Sequence, residues 1–181
     1  MLNIKMSFYI DCKSGTLILT DPSYQKHIST DTSLSFPLSF LLPESKVGKW
    51  FSILTEENIF NLGLRVKHIR FYHEHNLDDF QIKKSHEIIV PVDSGQLSLF
   101  DSSKYPSNSD EHTKLYERCC EISFDNNYGY IDDIGFVTRT GVGDGYYNAV
   151  INKDENDKTI SIFVSFVNEN YNRYKTRSLT E

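Results

Sequence analysis

Cysteine is scarce in this chain and poorly placed for chemistry. Its three residues, Cys12 and the neighbours Cys119 and Cys120, form an odd count with no metal-type spacing and no disulfide framework. No apolar run approaches the ~18 residues that a membrane-spanning helix needs. The opening stretch, MLNIKMSFYIDCKSG, turns polar by Asp11, too soon for a secretory core. A basic surplus is also missing: 19 Lys and Arg stand against 25 Asp and Glu, for a formal charge of −6. Nucleic-acid binding draws on positive charge to neutralise phosphates, so nucleic acid is an unfavoured partner. The one basic cluster, Asn172 to Arg177, falls in a polar tail at 167–181 and reads as a solvated end. These absences together lead to the expectation of a soluble, cytoplasmic protein with no membrane contact, no metal and no cofactor.

What the chain does have is aromatic residues, 12 Phe and 11 Tyr, which suit pleated, half-buried surfaces and favour strands. With 181 residues and no Gly/Ser-rich linker, residues 1–181 read as one domain large enough to bury a core. Short alternating runs recur between glycine corners: Met6 to Asp11, Gly15 to Asp21, Gly48 to Leu54, Leu62 to His75, Ser85 to Asp101, Gly135 to Gly141, Gly143 to Asn152 and Lys158 to Phe166. The apolar phase of the fourth run slips between Val66 and Ile69, where a bulge would insert one residue. Pro22 to Pro43 is rich in Ser, Thr and Asp and reads as a long connection with little regular structure. One helix is convincing, Ser109 to Ile122, with Leu115, Cys119 and Ile122 at helical spacing and Ser109 as candidate cap. The expected fold is mainly β: a single antiparallel sandwich or partly closed barrel-like domain with one or two helices.

One phrase occurs twice. SGTLILTD at Ser14 to Asp21 and SGQLSLFD at Ser94 to Asp101 share Ser-Gly, alternating leucines and a closing Asp. A separation of ~80 residues in only two copies does not suit a solenoid. It suggests two similar β-hairpins, each with a Gly corner and an Asp that accepts N–H bonds from the next turn. The other reading makes the repeated carboxylates line a cleft.

Motifs with chemical meaning are few. Gly141 to Gly145, GVGDG, lacks the Lys-Ser/Thr of a phosphate loop and reads as a tight turn in which Asp144 bonds local backbone. His73 and His75 share a strand face at a spacing that can serve zinc, with a third ligand to come from His86 or His68, but no Cys-x-x-Cys or His-Glu-x-x-His motif supports a metal site, and the pair reads as an exposed strand end. Asp154 to Lys158 resembles part of a calcium loop yet lacks its Gly and terminal Glu, so it reads as a hairpin turn. Cys119 falls on the apolar stripe of the helix, where packing explains it better than reactivity. Ser94 follows Asp93 at a Gly corner, without the Gly-x-Ser-x-Gly of a nucleophile elbow. The candidate ligand-binding residues are therefore Asp21, Tyr24, Asp93, Asp101, Asp144 and Tyr146.

Read in order, SGTLILTDPS, GKWFSI, VKHIRF, PVDSGQLSLFD and GVGDGYYNAV resemble the bacterial and phage domain-of-unknown-function family numbered 4241. The resemblance covers about 14–166. The chain departs from that family at Asn148, where the family commonly has Pro, and at Arg65 and Lys67, where it has small residues. The resemblance implies β architecture and supplies no catalytic residues.

The functional expectation is a non-catalytic binding or interaction protein with a protein partner, of the bacterial or phage immunity, antitoxin-like or inhibitor kind. Its acidic charge would steer association with a basic partner. The alternative is a binder or hydrolase of a nucleotide-like or sugar-like small molecule, with Asp21, Asp101, Asp144, Tyr24 and Tyr146 converging on the ligand.

Overall fold

Residues 3–24, 38–59, 61–76 and 81–167 are described by a computed structural model, with side chains from Tyr9 onward in the first segment. The basic cluster at 172–177 and most of the Ser/Thr-rich connection, 25–37, lie outside the described residues. The chain order is β1 (Asn3–Cys12), β2 (Leu17–Thr20), β3 (Ser39–Leu42), β4 (Gly48–Ile59), β5 (Gly63–His73), β6 (Lys84–Val92), β7 (Gln96–Asp101), α1 (Ser109–Asn126), β8 (Tyr128–Ile131), β9 (Gly135–Arg139), β10 (Gly145–Lys153) and β11 (Thr159–Ser165). Six strands form one sheet in the order β1-β4-β5-β11-β10-β6, and five form a second in the order β3-β2-β7-β9-β8. All strand pairs in both sheets are antiparallel, and neither sheet closes into a barrel.

The fold is thus mainly β and sandwich-like, with one α-helix among the described residues. The main core lies between the sheets, where Trp50, Leu54, Ile69 and Phe71 meet Leu17, Leu19, Leu97 and Leu99, all fully buried. A second cluster lies on the far face of the five-stranded sheet. There Ile18, Phe100 and Val137 pack against Leu115 and Cys119 of α1. The layers therefore run sheet, sheet, helix.

The register has a local two-fold relation. β2 and β7 run side by side, pairing Leu19 with Leu99 at the centre, Leu17 with Asp101 at one end and Thr20 with Ser98 near the other. In the larger sheet β5 and β11 pair about Arg70 and Phe163 in the same manner. Even the bulges correspond. The β4–β5 register passes over Lys67, between Val66 and His68, and the β10–β11 register passes over Ile160. The slip in phase read near Val66 is this extra residue.

Four expectations need correction. The doubled phrases are not hairpins, because β1 pairs with β4 and β6 with β10, at opposite edges of the larger sheet. Each Ser-Gly corner instead turns the chain from an edge of one sheet into the centre of the other. The connection after Pro22 contains a strand, β3, because Phe40 and Leu42 can cover the core beside β2. The helix is capped by Asn108, whose side chain accepts the Glu111 N–H at 2.9 Å, rather than by Ser109. Finally, β8, with the sequence YGYI, has no counterpart among the sequence-level strand expectations.

Candidate functional site

Each corner needs a left-handed residue, and Gly15 and Gly95 supply it at φ 69° and 67°. A corner also leaves backbone N–H groups outside the strand ladders, and buried donors demand acceptors. The neighbouring phrase provides them. Asp21, fully buried, accepts the Asp93 and Ser94 N–H groups on Oδ2, both at 2.7 Å. Its Oδ1 takes the Ser94 hydroxyl at 2.6 Å and the Ser23 N–H at 2.8 Å. Asp101, also fully buried, accepts the Lys13 and Ser14 N–H groups on Oδ2 at 2.5 and 3.2 Å. Its Oδ1 takes the N–H and hydroxyl of Ser103 at 2.9 and 2.8 Å. Each phrase therefore ends in the carboxylate that ties the other phrase's corner. Burial alone would raise the Asp101 carboxyl, but the hydrogen bonds from Ser14, Lys13 and Ser103 outweigh it and hold the group below the usual carboxylate range.

This geometry divides the six candidate residues. Asp21 and Asp101 cap opposite ends of the central strand pair, about 13 Å apart at the usual strand rise. Asp101 therefore does not converge with the others. At the Asp21 end, burial first and the adjacent Asp93 carboxylate second push the Tyr24 phenol well above its ordinary value, with Asp21 and Tyr146 also close enough to contribute. The Tyr24 carbonyl receives the Tyr105 hydroxyl at 2.7 Å and the His112 Nε2 at 2.9 Å. A carbonyl can only accept, so His112 carries its proton on Nε2. Asp144 reaches the same corner, its Oδ1 lying 3.8 Å from where a Cβ on Gly95 would stand. The loop preceding β10 is fastened through the Gly143 carbonyl, which accepts the Thr140 and Tyr147 hydroxyls, both at 2.5 Å. Asp144 itself is exposed and makes no hydrogen bond to the loop backbone, contrary to the turn role expected for it. Tyr146 projects outward, 72% exposed.

Two cavities adjoin the corners at matching positions. One, about 330 Å³, lies beside Ser14, Gly15 and Thr16 and contains Lys158, whose ammonium pairs with Glu44. The other, about 170 Å³, lies beside Ser94, Gly95 and Gln96 and contains Arg65 and Arg139. Arg65 opposes Glu57 across β4–β5 just before one bulge, and Lys158 occupies the corresponding place before the other. Sequence reading overlooked Gln96, although the two phrases differ there, Thr16 against Gln96. It noted Arg65 only as a departure from a family pattern and passed over Arg139.

The remaining candidates are accounted for by structure. The His73 Nε2 lies 2.9 Å from the Val47 carbonyl and its Nδ1 faces the His75 N–H at 3.4 Å. Among the described residues no three His, Cys, Asp or Glu side chains are grouped to hold a metal ion. Asp154 accepts the Asn156 and Lys158 N–H groups at 2.9 and 3.0 Å, as a hairpin turn requires. Burial pushes the Cys12 thiol up to about 11, with Asp101 adding to it, and raises the Cys119 thiol further. No helix among the described residues is long and apolar enough to cross a membrane. No family model, no curated protein and no solved structure matches the chain.

Proposed function

We propose that the protein is a non-catalytic binding protein that engages a protein partner at the corner gathering Tyr24, Asp93, Asp144 and Tyr146. The observation that carries this reading is Tyr146, 72% exposed on β10, with the exposed carboxylates of Asp93 and Asp144 at the same end. Ile89, 46% exposed on the adjacent edge strand β6, extends the apolar part of the patch. Tyrosine gives contact area at low entropic cost, and a partner arginine can stack on a phenol while pairing with a carboxylate. The partner we infer is therefore basic, which agrees with the chain's charge of −6. An immunity, antitoxin-like or inhibitor protein of a bacterium or phage would use such a surface, and the relation to the 4241 family belongs to the same proposal. The symmetric registers further favour reading the chain as two copies of one five-strand unit, with α1 and β8 added to the second.

The test places a photo-crosslinking residue at position 146 and purifies the protein gently from its native host. A stoichiometric basic partner, lost by about tenfold in affinity in Tyr146→Ala and Asp144→Asn, is the expected result. A clean monomer, or a partner that ignores both substitutions, would sink the reading.

The small-molecule alternative is favoured by one observation. An open groove of about 660 Å³ runs past Asp144 and Tyr146 to His68 and Phe163, offering rings on which a base or sugar can stack. A thermal-shift screen of nucleotides and sugars distinguishes the readings, since a ligand bound only by the native state raises Tm.

A further inference from the structure

We propose that the cavity between the Ser94-Gly95 corner and the end of α1 binds a small oxyanion, a carboxylate or phosphate group that also carries a hydrogen-bond donor. The cavity shares the Ser94-Gly95 corner with the exposed tyrosine patch, but none of Tyr24, Ile89, Asp93, Asp144 and Tyr146 lines it, so substitutions test the two proposals independently.

Three observations meet in the cavity. The first is charge. Arg65 and Arg139 both line it, and neither guanidinium is paired with a carboxylate among the described residues. Arg65 spends one donor on the Leu64 carbonyl at 3.0 Å, and Arg139 lies over the Phe124 ring at 5.7 Å. A guanidinium has five donors in a fork that fits oxyanions, so most of this capacity is uncommitted.

The second is Gln96. It is 3% exposed, its Nε2 donates only to the weak acceptor Cys120 Sγ at 3.4 Å, and its Oε1 is buried without a hydrogen-bonded partner. An amide oxygen buried in such a place is destabilising unless something donates to it. A hydrogen phosphate or an α-hydroxy or α-amino acid supplies that donor. With the amide turned over, Oε1 instead accepts the Cys120 S–H, and the NH2 group faces the anion.

The third is the matching cavity at the other corner. The same backbone there holds Thr16 in place of Gln96, and its cation, Lys158, is neutralised by Glu44. The scaffold therefore does not require two free arginines or a buried amide, because the first corner forms without them. The volume of about 170 Å³ is several times the ~30 Å³ of one liquid water and suits an anion of a few heavy atoms. Ser123 and Phe124 of α1 form one wall, so the element that has no described equivalent beside the first corner is also the one that partly encloses this cavity.

The experiment titrates the protein with sodium phosphate and, separately, with glycolate and glycine, at constant ionic strength in sodium chloride. Binding is followed by calorimetry and by the arginine Nε–H resonances. Melting temperature alone is insufficient, because phosphate stabilises folded proteins by exclusion from their surfaces. The expected result is saturable binding of at least one probe below about 10 mM, weakened about tenfold or more in each of Arg65→Gln and Arg139→Gln. Lys158→Gln, in the other cavity, should leave binding unchanged. The resonances of Arg65 and Arg139 should shift in the unsubstituted protein, which tests the site even if a variant folds poorly. A preference for phosphate or for the two-carbon acids identifies the ligand group. Absence of saturable binding by every probe, or binding that neither arginine substitution weakens, overturns the proposal.

Discussion

At the Ser14-Gly15 corner a lysine is neutralised by a glutamate, whereas at the Ser94-Gly95 corner two arginines stand beside a buried, half-satisfied amide. The corners are otherwise built alike. Each has a glycine near φ 68°, each is tied by a buried Asp from the other phrase, and each turns a chain from a sheet edge into the centre of the second sheet. The resemblance is confined to what the backbone demands. Positive φ requires glycine, and orphan N–H groups require a carboxylate, so these residues recur. The side chains around the cavities satisfy no such demand, and there the two regions part.

The largest expected effect is removal of either tie. Asp21→Ala and Asp101→Ala each strand buried donors that now bond to a charged acceptor, and each should lose on the order of 3 kcal/mol in denaturant melts. The losses should agree to within about 1 kcal/mol if the corners are mechanical equivalents. A neutral or stabilising effect at Asp21 alone would break the comparison and assign that carboxylate a functional role, since removing a strained site residue tends to raise stability.

Gly15→Ala and Gly95→Ala should follow, at about 1–2 kcal/mol each, from forcing a Cβ into left-handed backbone. A new Cβ would meet nothing nearer than 3.6 Å at Gly15 and 3.7 Å at Gly95, so backbone strain rather than collision sets the cost at both. Unequal losses would show that one corner has a looser loop than the other.

The pH dependence of Asp101 sharpens the comparison next. Its folded carboxyl titrates below the unfolded value, so its ionised form adds stability that is fully present above the carboxylate range. That contribution disappears as pH falls through the folded value. Stability measured from pH 6 to about pH 2 should therefore show the gap between the unsubstituted protein and Asp101→Asn closing as acid is added. A gap that stays constant would mean that Asp101 acts through shape alone.

The smallest effect should come from Asn108→Ala, about 1 kcal/mol, through loss of the N-cap of α1. Because the buried apolar residues of α1 pack on the side of the five-stranded sheet away from the main core, this substitution should also loosen hydrogen-exchange protection of α1 and β8 before that of β4 and β5. Simultaneous loss everywhere would show that the helix is integral to both layers.

Local chemistry fixed much of this protein before any tertiary contact. Alternation along Gly48 to Leu54 and Lys158 to Phe166, glycine at the corners, the phase slip at Val66 and the stripe Leu115-Cys119-Ile122 each follow from short-range periodicity or backbone allowance, and each corresponds to an element found in the fold. What tertiary structure alone decided is the partner of each strand and the neighbours of each side chain. The two phrases read as hairpins because a Gly corner looks the same whether the second strand folds back or crosses to another sheet. That choice depends on β4 and β10, which lie more than thirty residues away from β1 and more than fifty from β6 and capture these strands at the edges. The same long-range pairing separates Asp101 from Asp21, leaves Tyr146 exposed beside Asp93, and brings Arg65, Gln96 and Arg139 from three distant segments to one cavity. Contacts between segments so far apart carry no local pattern, because any apolar strand of suitable length satisfies the alternation, and only packing of the whole core selects among them.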